Sequence, residues 1–325
     1  MSRADLDAAG IADPRLRASY ERCRTLNAAH GRTYYLATLL LPPAKRPYVH
    51  ALYGFARYAD EIVDDLASTL TDAEKAERLV GWGSAFLAAV KDGRATDDPV
   101  AEAVVDTVRR WDIPLTHFDD FLASMRMDLT VTEYATWDDL MRYVWGSAAV
   151  IGLQMLPVLE PVVEREVASP YAVDLGVAFQ MSNFIRDVGE DLRRGRVYLP
   201  TADLEHFGVD RERLASGVVD GPVRRLLAYE IARTRELYRS AEPGIRLLHP
   251  TSRDCVRTAF RLYGGILDEV ERADYRVLDR RVSVGLTRRV AVAAPGLARA
   301  FAARRGPSRR IIDAATALLP NLPLY

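Results

Sequence analysis

Two short stretches of this 325-residue chain place carboxylates at helical spacing. In Arg57-Tyr58-Ala59-Asp60-Glu61-Ile62-Val63-Asp64-Asp65, Asp60 and Asp64 are four residues apart. On a helix they share a face, about 6 Å apart along the axis. Glu61 and Asp65 sit beside them, and Arg57 lies one turn before Asp60. In Gln180-Met181-Ser182-Asn183-Phe184-Ile185-Arg186-Asp187-Val188-Gly189-Glu190-Asp191, the residues Asn183, Asp187 and Asp191 form one stripe. Arg186 flanks that stripe and Gln180 extends it by a turn. Like charges so spaced destabilise a bare helix, so positive partners are expected among them. Carboxylate oxygens are hard ligands suited to Mg²⁺, which keeps several waters and shares its remaining positions with substrate phosphates. One acidic pair alone is usually a solvated face. Here both sit in apolar sequence, after Ala51-Leu52-Tyr53-Gly54-Phe55-Ala56 and Leu175-Gly176-Val177-Ala178-Phe179, and both have an arginine beside them. Two such helices face to face would wall a cleft in which cations and guanidinium groups hold a diphosphate.

The elements that must position these groups are helices. Apolar residues recur at three- and four-residue spacing almost throughout, and no segment alternates as a half-buried strand does. The spacing predicts long helices over about 15–31, 44–66, 72–92, 97–111, 115–129, 137–156, 168–193, 222–241 and 252–276, punctuated by prolines. Thr71 with Glu74, and Ser252 with Asp254, read as helix starts. No low-complexity linker or fixed repeat divides the chain. The expected fold is all-α, a single domain over 1–325, with 1–14 flexible and 276–325 a basic and apolar C-terminal region.

Composition narrows the function. Lys plus Arg number 44 and Asp plus Glu 45, so no overall field draws the protein to nucleic acid. The two cysteines, Cys23 and Cys255, exclude a disulfide scaffold or a zinc site built on Cys pairs and fit a reducing cytosol. The opening MSRADLDAAG is charged, and no signal peptide is expected. The uncharged run Tyr143–Leu159 is too short to span a bilayer and reads as a buried core helix. Residues 276–310 hold ten arginines against one acid, Asp279, and the last fifteen residues are mostly apolar. They read either as a solvated face with a packed tail or as a patch resting on an anionic membrane. His50, His117, His206 and His249 lack ligand spacing and read as structural. Of Trp82, Trp111, Trp137 and Trp145, only Trp145 is a cavity candidate.

The segments Tyr34-Tyr35-Leu36-Ala37-Thr38, ALYGFARYADEIVDD and QMSNFIRDVGEDLRRGRVYLP resemble those of the squalene/phytoene synthase family, with motif order and spacing intact from about Tyr20 to Tyr275. The resemblance implies a single all-helical isoprenoid-synthase fold with a large central cavity. It implies head-to-head condensation of two prenyl diphosphates with Mg²⁺ or Mn²⁺, two or three ions, and no NADPH. It assigns Asp60, Asp64, Asn183, Asp187 and Asp191 as metal ligands, and Arg57 and Arg186 to diphosphate. Tyr53, Gln180, Tyr198 and Tyr275 match substrate-contacting positions, and Tyr143 a tyrosine near the reacting carbons. His30, Gly31, Arg32 and Thr33 match a polar segment that grips diphosphate. Glu61 stands where Asp is commoner, and Gly31 where Ser is frequent, which removes a hydroxyl.

The implied chemistry ionises one diphosphate, joins the chains through a cyclopropyl intermediate, expels the second diphosphate and ends in loss of a proton. Tyr143 and nearby rings could steady the cations. No strong base is evident. A squalene or dehydrosqualene synthase, a terpene cyclase or head-to-tail synthase, and a non-catalytic assembly factor on the same scaffold remain alternatives. The cellular setting expected is the cytoplasm, with peripheral contact to anionic membrane. Helical spacing sets the deep end of the substrate pocket at Thr38, His50, Gly176 and Val177; Thr38 and Gly176 are small, which favours a C20 chain.

Overall fold

The computed structural model describes residues 3–64, 69–93 and 96–304, though not the side chains of Arg32, Leu286, Arg289, Ala293, Leu297, Ala300 and 301–304. Asp65 and the apolar tail beyond 304 lie outside the described residues. The helices are α1 (Arg3–Ala8), α2 (Pro14–His30), α3 (Arg32–Thr38), α4 (Arg46–Asp64), α5 (Asp72–Asp92), α6 (Pro99–Trp111), α7 (Thr116–Met127) and α8 (Trp137–Val144). They continue with α9 (Val150–Leu159), α10 (Arg165–Arg193), α11 (Thr201–His206), α12 (Arg211–Ala215), α13 (Gly221–Ala241), α14 (Pro250–Arg272) and α15 (Leu286–Arg304). Among the described residues there is no strand, only isolated bridges at Glu133–Val197 and Pro161–Leu248. No described helix is long and apolar enough to cross a membrane.

Two main apolar cores flank a central cavity. One joins α2, α4, α5, α6 and α7 through residues such as Tyr20, Phe55, Phe86 and Phe118. The other joins α10 to α13 and α14 through Ile185, Leu226, Leu227 and Leu267. The helix starts follow sequence chemistry. The Thr71 hydroxyl and the Glu74 side chain cap α5 reciprocally, as expected. The start of α14 lies earlier than expected, at His249 with Pro250 in the first turn. Ser252 is already inside the helix, where its hydroxyl accepts from the buried Lys45 ammonium at 2.9 Å.

Two further expectations are corrected. Part of the segment 1–14, expected to be flexible, is helix α1, with Leu6, Ala9 and Ile11 buried. Arg46 is buried beneath it and needs a counter-charge, which Asp5 supplies at 3.0 Å. The helix expected over 137–156 is broken by a π-helical turn, Trp145–Ala149, between α8 and α9. Gly146 in that turn lies against the α7 backbone; a Cβ there would come within 2.2 Å of the Asp120 carbonyl. The wide turn brings Tyr143, Ser147 and Ile151 together on the cavity wall. Such bulges concentrate at functional sites.

Glu230 on α13 is fully buried, with Oε1 lacking a hydrogen-bond partner. Burial, opposed by Arg233 and reinforced by Asp203, pushes its pKa up to about 8. The unfolded chain ionises this group near pH 4.5 while the folded chain keeps it protonated, so this group makes stability fall as pH rises from about 4.5 to about 8. Glu230→Gln should flatten that slope and gain about 1–3 kcal/mol at pH 8. Urea unfolding at pH 5 and pH 8 measures it; equal slopes for both proteins would refute it.

Candidate active site

The two acidic stripes lie on α4 and α10, which face each other across one cavity. Its wall includes Asp60 and Asp64 from α4 and Gln180, Asn183, Arg186, Asp187 and Asp191 from α10. Asp60, Glu61, Asp64 and Asp187 each have an arginine against them. Arg57 donates to Asp60 at 2.6 Å and to Glu61 at 3.1 Å. Arg196 donates to Asp64 at 3.1 Å, with Arg194 at 3.6 Å. Asp187 is held by Arg186 and, at 3.0 Å, by Arg281. The compensation is incomplete. Burial and then the neighbouring Asp64 push Asp60 up to about 6. Burial and then Asp187 push Asp191 up to about 7. More positive charge would be welcome here.

That residual deficit fits a divalent cation. The donors are hard oxygens, and each helix offers a carboxylate pair one turn apart. Among the described residues no three acids converge as a ready cage. An ion here would complete its shell with water and phosphate oxygens, which is how Mg²⁺ is usually held.

The polar segment before α3 also reaches the cavity: His30, Gly31 and Thr33 line it. His30 Nε2 stands 3.5 Å from Glu61. Nothing is described for the Arg32 side chain. Gly31 has a steric reason beyond a lost hydroxyl. A Cβ there would meet the Tyr53 ring at 2.7 Å and Asn27 Oδ1 at 2.4 Å, so a larger residue would have to displace one of those side chains.

Tyr143 and Tyr198 both line the site. Their hydroxyls donate to the two oxygens of one carboxylate, Asp128, at 2.9 and 3.3 Å. Their rings, with Tyr134 and Phe184, form a stacked aromatic wall with centroids 4.1–6.4 Å apart. Burial pushes Asp128 up to about 7, against the nearby Arg196. Asp128 was not singled out from sequence. The available signal was weak: an acid at the C-terminal end of α7, where the helix dipole disfavours negative charge. Arg196, Arg281 and Tyr263 were missed as well. Arg196 and Arg281 reach the acids from segments distant in sequence. Tyr263 packs against Tyr34 at 4.9 Å and Phe179 at 4.5 Å.

Tyr275 and Trp145 are not brought to the cavity wall. Tyr275 lies past the end of α14 with φ of 60°, its ring beneath the Arg224 guanidinium at 5.4 Å; Tyr263 is the α14 tyrosine that faces the site. Trp145 is 43% exposed and donates to Asp120 at 2.8 Å on the outer surface.

Beyond the acids the cavity turns apolar. Tyr34, Tyr53, Ala56, Ser147, Ile151 and Gln180 border both the polar part and a second, apolar part behind it. Thr38 and Gly176 line it as expected, but it does not end there. His50 is buried behind the wall, hydrogen-bonded to Asn27 at 3.0 Å and held near pKa 3 by burial. Val177 turns into the core with Tyr143 and Met181. The space continues past Gly176 to Ala172 and Ala168.

If Asp128 fixes the two phenols, Asp128→Asn should keep the helical fold and lower turnover by about 10–100-fold, since an amide oxygen can serve only one of them well. Tyr198→Phe should cost less. Far-UV circular dichroism with steady-state kinetics checks both; unchanged turnover in a folded Asp128→Asn variant would remove Asp128 from the site.

The family model described as squalene/phytoene synthase matches residues 27–288. The chain is 40% identical to a phytoene synthase of Arthrospira platensis over 279 residues, covering 82% of this chain and 88% of that protein. It is 39% identical to a 15-cis-phytoene synthase of a Synechocystis strain, covering 82% and 80% of the two chains. Among solved structures, a ligand-bound dehydrosqualene synthase superposes with a TM-score of 0.77 at 24% identity, over 88% of this chain and 98% of the other. A squalene synthase from Alicyclobacillus acidocaldarius gives 0.74 at 26% identity, over 82% and 98%. The facing acidic stripes, the arginines among them and the apolar recess behind therefore sit on the isoprenoid-synthase fold, and the chain belongs to the squalene/phytoene synthase family.

Proposed function

We infer that this protein is a phytoene synthase, a prenyltransferase that condenses two geranylgeranyl diphosphates head to head into phytoene through prephytoene diphosphate. The observation that carries this reading is a pocket walled by arginines and carboxylates that shares six wall residues with an apolar recess behind it. The names of the relatives at 39–40% identity support the C20 substrate. The two solved structures carry C15 names, so a squalene or dehydrosqualene synthase is the second reading. A non-catalytic role is disfavoured because Asp60, Asp64, Asn183, Asp187 and Asp191 are all kept around one cavity.

In this reading Asp60 and Asp64 on α4, and Asn183, Asp187 and Asp191 on α10, hold two or three Mg²⁺ or Mn²⁺ ions. Bound there, the ions neutralise a departing diphosphate. Arg57, Arg186, Arg194, Arg196 and Arg281 exchange carboxylate oxygens for phosphate oxygens and meet the charge that develops on the leaving group. The Tyr143, Tyr198 and Phe184 rings, backed by Tyr134, face the cation, and Asp128 fixes the orientation of Tyr143 and Tyr198. The apolar wall keeps water from the cation until a proton is lost.

Asp60→Asn and Asp187→Asn should each cut turnover by about two orders of magnitude or more with the fold intact. Wild-type activity on geranylgeranyl diphosphate should vanish in EDTA, return with Mg²⁺ and need no NADPH. Product mass decides between the readings: a C40 hydrocarbon formed without reductant supports phytoene synthesis, and strict NADPH dependence with a C30 product supports squalene synthesis.

A cytoplasmic protein resting on anionic membrane completes the proposal, since a C40 hydrocarbon has no place in water. The basic C-terminal region supports it less than its composition suggests. Arg276 pairs with Asp279, Arg281 with Asp187, Arg288 with Asp268 and Glu269, and Arg299 with Asp254. Flotation with anionic vesicles should therefore exceed that with neutral ones by a modest, salt-sensitive margin. Equal partition to both at low salt would remove charge from the account.

A further inference from the structure

The apolar recess is bounded along its length by two antiparallel helices, α9 and α10. A Cβ on Gly176 would meet the Ala148 carbonyl at 2.6 Å, and one on Gly152 the Ala172 carbonyl at 2.3 Å, so the two backbones touch. On α10 the lining residues Gln180, Gly176, Ala172 and Ala168 recur every fourth position, continuing towards the N-terminus from Asp187 and Asp191 at the polar end. From the Asp187 level, Gly176 lies about 16 Å along the axis, Ala172 about 22 Å and Ala168 about 28 Å at the helical rise. An extended isoprene unit is about 5 Å long, close to one helical turn.

The far end is built as a fixed stop. Leu159, Ala168, Tyr171, Ile245, Leu248 and Val256 line it there. The backbone ties it from outside: Val162 N–H donates to the Leu247 carbonyl at 2.7 Å and His249 N–H to the Glu160 carbonyl at 2.7 Å. The buried Lys45 ammonium joins the Glu160 carboxylate to Ser252 on α14. Gly244 packs directly on Tyr171, where a Cβ would approach within 2.2 Å. A wall stapled in this way has little room to yield to a longer chain.

We propose that the α10 stripe is the ruler that sets substrate chain length, with Ala172 as the position that separates C20 from C15. The inference rests on the functional reading above and deepens it. With a diphosphate of about 5 Å at the acid end, a C15 tail stops about 20 Å along the axis, short of Ala172. A C20 tail stops at about 25 Å, between Ala172 and Ala168. Only the fourth isoprene unit passes the methyl of Ala172. Thr38 is a side-wall residue, its hydroxyl donating back to the Tyr34 carbonyl at 2.8 Å.

The test measures binding of unreactive C10, C15 and C20 thiolodiphosphates, with Mg²⁺, to the full chain by calorimetry. Competition between farnesyl and geranylgeranyl diphosphate, with products weighed by mass spectrometry, runs alongside. Ala172→Leu should lower the C20-to-C15 affinity ratio at least tenfold and leave C10 binding unchanged. Ala168→Leu should lower the ratio less. Met155→Phe, which narrows the recess from α9 about one turn beyond the Gly152–Ala172 contact, obstructs the same fourth isoprene unit if Ala172→Leu does not fold. A folded Ala172→Leu or Met155→Phe variant with the wild-type ratio overturns the ruler, as does a loss of C10 binding equal to that of C20. If the wild type makes only a C30 product, the phytoene synthase reading fails, while the change in ratio between wild type and variant still decides the ruler.

Discussion

The structure depends on compensating carboxylates stacked one turn apart on two facing helices. Asp60 and Asp64 on α4, and Asp187 and Asp191 on α10, repel one another within each helix and share one cavity. Arginines make the arrangement tolerable, and they arrive from every side: Arg57 and Arg186 from the same helices, Arg194 and Arg196 from the turn after α10, Arg281 from beyond α14. The segment carrying Arg281 must cross close over α10, and Gly189 permits it, since a Cβ there would sit 2.2 Å from the Leu278 carbonyl. The same groups that neutralise the acids are placed to meet phosphate. The charge that threatens the fold and the charge that serves the reaction are one problem.

The helix α10 connects the two halves of the site. Its C-terminal half carries the ligand stripe, and its N-terminal half lines the apolar recess on the same face. Because the helix is rigid, the distance from leaving group to end wall is set by residue count. The π-helical turn before α9 supplies the other adjustment. It directs Tyr143 to the aromatic wall around Asp128 and Ser147 and Ile151 to the junction of the two halves.

The sequence carried the ends of most long helices within a few residues, because apolar period, prolines and caps are local signals. α5 matches its expected limits, and its capping box is the one read from Thr71 and Glu74. The π-turn escaped because it arises where Gly146 meets the α7 backbone, a contact between segments more than twenty residues apart. The stripes on α4 and α10 were legible for the reason the helices were: period 3.6 puts their members on one face. Asp128 was not, since its partners Tyr143 and Tyr198 stand 15 and 70 residues away. Tyr275 and Tyr263 are both on or next to α14, and only their direction in the folded chain separates them.

By itself, then, the sequence determined the helical class, the two carboxylate faces with their arginines, and the apolar character of the space behind them. These follow from residue type and spacing within single helices. The tertiary structure decided which arginines complete the charge balance, that Asp128 binds two phenols, and that the recess runs past Thr38 and Gly176 to a wall braced by Lys45 and Glu160. Depth is a property of how α9 and α10 lie against each other. Backbone contacts at Gly152 and Gly176 set that approach, and no single helix encodes it.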